Sequence, residues 1–120
     1  MDKCIIGVDI GGTTFSSVLF SSSLEPLKKS EREFVSNYSD TNGLLDALVN
    51  QIQSLLKNDG NIGVLGIGIS CPGPLDSKSG IILKTPNVQI LQNIPLKKEI
   101  QDRLSIDVQI ENDANLFALG

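Results

Sequence analysis

Short apolar runs, each bounded by glycine, proline or polar residues, predict the β-strands of this chain. In chain order they are Lys3–Ile10, Phe15–Phe20, a more exposed strand at Lys29–Val35, Ile62–Ser70, a short strand at Gly80–Thr85, and Ile106–Ile110. The first of these runs is apolar on both faces, which is typical of a strand buried in the centre of a sheet. Only a short turn separates it from the second, so we expect the two strands to form an antiparallel hairpin.

Apolar residues at helical spacing predict helices at Asp40–Lys57 and at Pro95–Leu104. The stripe of the first helix consists of Leu44, Leu45, Leu48, Val49, Ile52, Leu55 and Leu56. Its start has a capping residue in Asp40 or Thr41, and Gly60 is a typical stop signal. A further helix is predicted from Glu111 onward.

The resulting order is three strands, a helix, a strand, an excursion that contains the short strand, a helix, a strand and the opening of a helix. This order predicts an α/β fold with some antiparallel pairing. The length of 120 residues corresponds to one domain. Asn115–Gly120 corresponds to the first turns of the last helix, so a fragment of a longer protein is expected.

Charge and hydropathy exclude several classes of protein. The net charge of −4 disfavours a nucleic-acid partner, because phosphate binding needs a clustered basic surface. The densest basic cluster, Lys28, Lys29 and Arg32, is diluted by glutamates and is interpreted as a solvated surface. No apolar run approaches the ~18 residues of a membrane span, and no signal peptide is recognisable. We therefore expect a cytoplasmic protein without membrane association.

The sequence contains no histidine and only two cysteines. Within these residues this excludes a serine–histidine or cysteine–histidine nucleophile pair and a histidine-based zinc site. A metal ion would need oxygen ligands, which favours magnesium or calcium. Cys4 lies in a predicted buried strand and is interpreted as a reduced, structural thiol.

The first motif is the turn after the first strand, in the stretch Val8–Phe20. It lacks the lysine of a P-loop and the spacing of a dinucleotide fingerprint. It nevertheless combines a carboxylate, two glycines whose N–H groups can face an anion, and two hydroxyls. These candidate phosphate- and magnesium-binding residues are Asp9, Gly11, Gly12, Thr13 and Thr14. The alternative is an ordinary hairpin turn in which the aspartate accepts local backbone hydrogen bonds.

The second motif is the glycine-rich strand and exit Gly66–Asp76. Glycines within a strand indicate close approach by a backbone or ligand, and Pro72-Gly73-Pro74 makes the exit stiff. The alternative is a tight bend with no binding role.

The third motif, Glu111–Asn115, lies where the last strand is expected to end. Open α/β sheets bind ligands at the carboxyl ends of their strands. There Asp113 is a candidate general base, and Asn112 has both a donor and an acceptor for a polyol. Helix capping is the alternative, although a cap needs a single such residue.

Together, "DIGGTT", "GIGISCPGPLD" and "IENDANLFALG" resemble, in order and spacing, the first lobe of the ROK family of sugar kinases and repressors. The resemblance runs from Ile5 to Gly120, and the ordered set is far more specific than any one motif. It implies a ribonuclease-H-like lobe of the actin-like ATPase fold, with a mixed, partly antiparallel sheet flanked by helices. Residues 1–120 would be the N-terminal lobe, and a second lobe would lie outside this chain.

The resemblance also implies roles for individual residues. Asp9, Gly11, Gly12 and Thr13 would surround Mg-ATP. On the sugar side it implies contacts from Gly73, Asn87, Asn112 and Asp113. Asp113 would be the catalytic base, which takes the proton of the sugar 6-hydroxyl as this attacks the γ-phosphate.

The implied function is ATP-dependent phosphorylation of a hexose or N-acetylhexosamine. The fragment alone is expected to be inactive. The resemblance further implies a homodimer of the full-length protein. Structural zinc, if present, would belong to the second lobe. Thr14 replaces the family's frequent lysine or asparagine, and the loop after Asn87 lacks its usual proline, glycine and tryptophan. The identity of the sugar therefore stays open.

Two other functions stay open as well. The first is a sugar-sensing regulator, which usually carries a helix-turn-helix domain before this lobe. Met1 lies only a few residues before the first strand, which favours the kinase. The second is a domain in which all three motifs are structural.

Overall fold

The computed structural model describes residues 2–11, 13–56, 62–71, 75–76, 81–82 and 95–112. Within these ranges the strands are β1 (Asp2–Ile10), β2 (Thr14–Ser21), β3 (Pro26–Lys29), β4 (Glu33–Phe34), β5 (Ile62–Cys71), β6 (Leu75–Asp76), β7 (Ile81–Ile82) and β8 (Val108–Asn112). The α-helices are α1 (Thr41–Leu56) and α2 (Leu96–Leu104), and a 3-10 turn covers Val35–Asn37.

The main sheet has the strand order β3-β2-β1-β5-β8, and β4 pairs with the other end of β2. β1 and β2 form the predicted antiparallel hairpin, whereas β1–β5 and β5–β8 are parallel pairs. The parallel pairs require crossover connections, which contain α1 and α2. The predicted mixed sheet is therefore confirmed, with β1 at its centre.

The side chains of β1 alternate between the two faces of the sheet. Cys4, Ile6, Val8 and Ile10 are buried in the core, with the apolar residues of both helices. On the other face Ile5 and Gly7 are half-buried and Asp9 is exposed. The prediction that this strand is buried on both faces is thus wrong for the described residues, because both α1 and α2 contribute to the one core. Cys4 is a buried free thiol, as expected.

The segment after β2 forms two short strands, whereas the sequence predicted one strand over Lys29–Val35. β3 ends at Lys29 and β4 begins at Glu33, so the chain leaves the sheet between them. The side chain of Ser30 explains the break, because its Oγ accepts the hydrogen bond of Ser17 N at 2.8 Å, in place of a backbone carbonyl.

The end of the chain also departs from the prediction. Glu111 and Asn112 belong to β8 and do not open a helix, because β5 extends to Cys71 and pairs with them. Asn115–Gly120 and the predicted stop signal Gly60 lie outside the described residues. β8 begins later than predicted, at Val108, whose N–H donates to Gln101 Oε1 at 3.0 Å. Of the short strand predicted around residues 80–85, the described part is β7, which pairs with β6.

Helix α1 matches its prediction closely. Asp40 is the cap, since its Oδ1 accepts a hydrogen bond from Gly43 N at 2.7 Å. The buried residues of the helix are Leu44, Leu45, Ala47, Leu48, Gln51, Ile52 and Leu55. One of them, Gln51, is polar. Neither helix in the described part of the chain combines the length and the apolar character that a membrane span requires.

We expect Leu48→Ala to lower the free energy of unfolding by about 2–5 kcal/mol, because it opens a cavity in the core. Leu48 is only 1% exposed. The matched control is Leu27→Ala on β3, where the leucine is 53% exposed and a change of about 0.5 kcal/mol or less is expected. Urea denaturation compares the two variants. Equal losses would contradict the location of the core.

Candidate functional site

The carboxyl ends of the three parallel strands lie side by side. Asp9 on β1 pairs with Ser70 on β5, and Ser70 pairs in turn with Glu111 on β8. Cys71 pairs with Asn112 one step further along. Adjacent strands are ~4.8 Å apart, so the backbones of the outer strands are roughly 10 Å apart across this row. The row brings the first and third sequence motifs to one edge of the sheet, and the strand of the second motif lies between them.

The turn between β1 and β2 is closed by a hydrogen bond from Gly11 N to Thr14 O at 2.8 Å. Gly11 thus donates its N–H inside the turn, and an anion could take that N–H only if this bond opened. Thr13 is exposed at the tip and Thr14 is half-buried. A bond from Val35 N to Thr13 O, at 2.9 Å, holds the tip from outside the hairpin.

The sheet face opposite the helices forms a cavity of about 520 Å³ beside this turn. Its polar lining includes Asp9, Ser16 and Ser70, and Lys29 and Arg32 contribute cations. The apolar lining includes Ile5, Val18, Phe20 and Leu24. A Cβ at Gly7 would lie 3.0 Å from Cε2 of Phe20, so a larger residue there would require the phenyl ring to shift.

The donor atoms at this edge are oxygens, which suit a hard divalent cation. The described residues contain no group of three or more histidine, cysteine, aspartate or glutamate residues that could hold a metal by themselves. The exposed carboxylate of Asp9, with the hydroxyl-bearing Ser16 and Ser70 along the same cavity, instead fits Mg²⁺. Mg²⁺ is commonly bound through one or two carboxylates, substrate phosphates and water.

Several predicted site residues lie outside the described residues, namely Gly12, Gly73, Asn87 and Asp113. Asp113 follows directly after Asn112, the last described residue of β8. The roles predicted for these residues stay predictions.

A partly buried polar network on the side of β4 and α1 was not anticipated from the sequence. Gln51 Nε2 donates to Glu33 Oε2 at 2.9 Å, and the Tyr38 hydroxyl donates to Glu33 Oε1 at 2.6 Å. Ser17 Oγ donates to Gln51 Oε1 and completes the network. One sequence feature could have revealed the network. Ser17 in β2 and Gln51 in α1 are polar residues at positions whose side chains face the core.

The glutamate also affects the tyrosine. The hydrogen bond to Glu33 raises the pKa of Tyr38 above its ordinary value of 10.0, with smaller contributions from burial and from the negative charge of the carboxylate. The hydroxyl therefore stays protonated at neutral pH and remains a donor. The ring of Tyr38 also packs against Phe15, with ring centroids 6.0 Å apart.

Relatives of known activity cover nearly the whole of this chain. It is 37% identical over 116 residues to a glucokinase of Thermotoga maritima, covering 97% of this chain and 35% of the relative. It is 33% identical over 118 residues to a xylose repressor of Caldicellulosiruptor bescii, covering 97% of this chain and 29% of the relative. The chain thus spans about a third of the length of these curated relatives.

A solved structure confirms the fold. The ROK family glucokinase of Streptomyces griseus, in complex with glucose and AMPPNP, superposes with a TM-score of 0.79 at 28% identity. The match covers 93% of this chain and 34% of that one. The predicted ribonuclease-H-like lobe, with its mixed sheet flanked by helices, is confirmed. The sequence profile of the ROK family matches residues 5–120, and the chain belongs to that family.

Proposed function

We propose that this chain is the first lobe of an ATP-dependent sugar kinase, which phosphorylates the 6-hydroxyl of a hexose or of an N-acetylhexosamine. The observation that carries the proposal is the row formed by Asp9, Ser70 and Glu111 at the carboxyl ends of the parallel strands. Ligands of open α/β sheets bind at this edge. In the proposal a second lobe, joined to residues 1–120, completes the cleft.

On the nucleotide side, Asp9 would hold Mg²⁺ directly or through water, and the hydroxyls of Thr13 and Thr14 would face the phosphates. When bound, the ion neutralises charge on the transferring phosphates. Support comes from the exposed carboxylate beside an exposed threonine at the tip of the turn. Gly11 and Gly12 would let the backbone approach the phosphates closely.

On the sugar side, Asn112 would bind a sugar hydroxyl, and Asp113 would accept the proton of the 6-hydroxyl. Gly73 and Asn87 would shape and line the rest of the sugar site. Phosphoryl transfer depends mainly on in-line positioning and charge neutralisation. One carboxylate that orients the attacking sugar hydroxyl and accepts its proton is therefore sufficient to activate the nucleophile.

The test is phosphorylation by the complete protein across a panel of glucose, N-acetylglucosamine, N-acetylmannosamine, mannose and xylose. We expect ATP- and Mg²⁺-dependent formation of a 6-phosphate from at least one hexose, identified by phosphorus NMR. Chelation of Mg²⁺ with EDTA is the control and should stop the reaction. Absence of product with every sugar would contradict the proposal.

A sugar-responsive regulator is the second candidate, and the similarity to the xylose repressor favours it. In that case the lobe would bind a sugar without transferring phosphate. Retention of DNA by the complete protein, released by sugar, in the absence of kinase activity, would favour this candidate. The cytoplasmic location, the homodimer, the zinc site in a second lobe and the absence of nucleic-acid contacts by this lobe stay predictions.

A further inference from the structure

We propose that Glu33 is a positioning residue for the nucleotide site. Its carboxylate fastens strand β4 to helix α1, and the segment from β4 to Val35 in turn holds Thr13 and Thr14, whose hydroxyls would face the phosphates. The inference rests on the proposed function and adds to it a residue that no sequence motif contains.

The first step is the attachment of Glu33 to the core. Both carboxylate oxygens are used, one by Gln51 Nε2 at 2.9 Å and the other by the Tyr38 hydroxyl at 2.6 Å. Gln51 is only 6% exposed and Ser17, its other partner, is fully buried. Hydrogen bonds to a charged acceptor are stronger than those between neutral groups. The carboxylate is therefore fixed to the buried side of α1.

The second step leads from Glu33 to the turn. Glu33 pairs with Phe15, and the next residue, Phe34, pairs with Thr14. Val35 N then donates to Thr13 O at 2.9 Å. Displacing Glu33 therefore disturbs three consecutive backbone contacts, two of which are with Thr13 and Thr14, the threonines that would face the phosphates.

The third step is the sensitivity of the turn. Glycine restricts the backbone little, and the hydrogen bond from Gly11 N to Thr14 O is the internal contact that closes the turn. The bond from Val35 N to Thr13 O adds a constraint from outside the hairpin. Misplacing a binding group by ~1 Å can cost on the order of a hundredfold in rate. The sugar residues follow other strands, so the effect should fall on the nucleotide alone.

The experiment compares steady-state kinetics of three variants of the complete protein. Glu33→Ala removes both acceptors, and we expect the KM for MgATP to rise about tenfold. The KM for the sugar should change by less than about twofold, since Asn112, the sugar residue that the structure describes, lies on β8, and β4 pairs with β2. Glu33→Gln keeps an acceptor for the Tyr38 hydroxyl, but the Gln51 amide would have to rotate to accept from the new amide, which turns its Oε1 toward Glu31 O. We therefore expect a KM for MgATP between those of the unaltered protein and Glu33→Ala. Glu31→Ala removes an exposed carboxylate nearby and serves as the matched control.

A merely structural role predicts a different result. Glu33→Ala would then lower Tm and leave the KM for MgATP unchanged, or it would raise the two KM values equally, and either result overturns the proposal. If Glu33→Ala does not fold, Tyr38→Phe removes only the hydroxyl. We expect this variant to raise the KM for MgATP by about threefold. An unchanged KM in Tyr38→Phe would overturn the proposal.

Hydrogen exchange separates this inference from the proposed function, because it needs no turnover. We expect Glu33→Ala to speed exchange of the Gly11 and Val35 amides about tenfold, and Glu31→Ala to leave it unchanged. Unchanged exchange in Glu33→Ala overturns the inference even if the kinase is active. Faster exchange in a protein that phosphorylates no sugar supports the coupling of Glu33 to the turn and contradicts the proposed function alone.

Discussion

Replacement of Asp113 by asparagine in the complete protein is expected to lower kcat by about a thousandfold, while the sugar still binds. The amide keeps the shape of the side chain and its hydrogen-bonding capacity, but it cannot accept the proton of the sugar hydroxyl. Steady-state kinetics should show the loss in kcat. Calorimetric titration with glucose should give a Kd within about threefold of the unaltered protein, because binding uses hydrogen bonds that an amide can replace.

Asp107→Asn is the matched control for this substitution. Asp107 is exposed and immediately precedes β8, and the hydrogen bond it makes to Ile67 N uses its backbone carbonyl. The same chemical change there should leave kcat unaltered. Near-normal turnover in Asp113→Asn would contradict the assignment of the base.

The second large effect is expected from Asp9→Ala. We expect kcat/KM for MgATP to fall about a hundredfold, which corresponds to about 2.7 kcal/mol of lost transition-state stabilisation. The exposed carboxylate at the end of β1 is the proposed Mg²⁺ ligand, so its loss should also raise the Mg²⁺ concentration needed for half-maximal rate. Kinetics at varied ATP and varied Mg²⁺ measure both quantities.

Sugar binding provides the internal comparison for Asp9→Ala. The Kd for glucose should stay within about twofold, because each proposed sugar residue ends or follows β5, β7 or β8 rather than β1. Unchanged kinetics with respect to both ATP and Mg²⁺ would show that Asp9 does not serve the nucleotide.

Local patterns were sufficient for much of the fold. The apolar runs on either side of Gly11–Thr13 predicted the hairpin, and the leucine stripe with Asp40 in front of it predicted α1 and its cap. The strands β5 and β8, which pair in parallel, were also predicted, because each is an apolar run that follows a predicted helix. In these elements local preference and tertiary packing agree.

The errors arose where a distant partner decides the local structure. Glu111 has the polar neighbours of a helix start, yet Ser70 of β5 pairs with it and extends the strand. The break before β4 depends on Ser30, whose side chain replaces a backbone acceptor of Ser17. No periodicity within either segment contains this information.

The residue types of the candidate site could be predicted from the sequence, but the contacts that hold those residues in place could not. The motifs predicted that Asp9 and the residues after β8 meet at one edge, and the register confirms the common row for Asp9 and Glu111. The turn hydrogen bond of Gly11 and the carboxylate of Glu33 emerged only from the structure. The hydrogen bond of Gly11 depends on the geometry of the turn. The contacts of Glu33 depend on Gln51, which lies far away in the sequence.

The most direct test of the common cleft is a crystal structure of the complete protein with MgAMPPNP and its sugar bound. We expect the carboxylate of Asp113 within about 2.6–3.2 Å of the sugar 6-hydroxyl, with Asp9 on the metal and triphosphate side of the same crevice. A structure in which Asp9 and Asp113 face opposite sides of the lobe would contradict the proposed site.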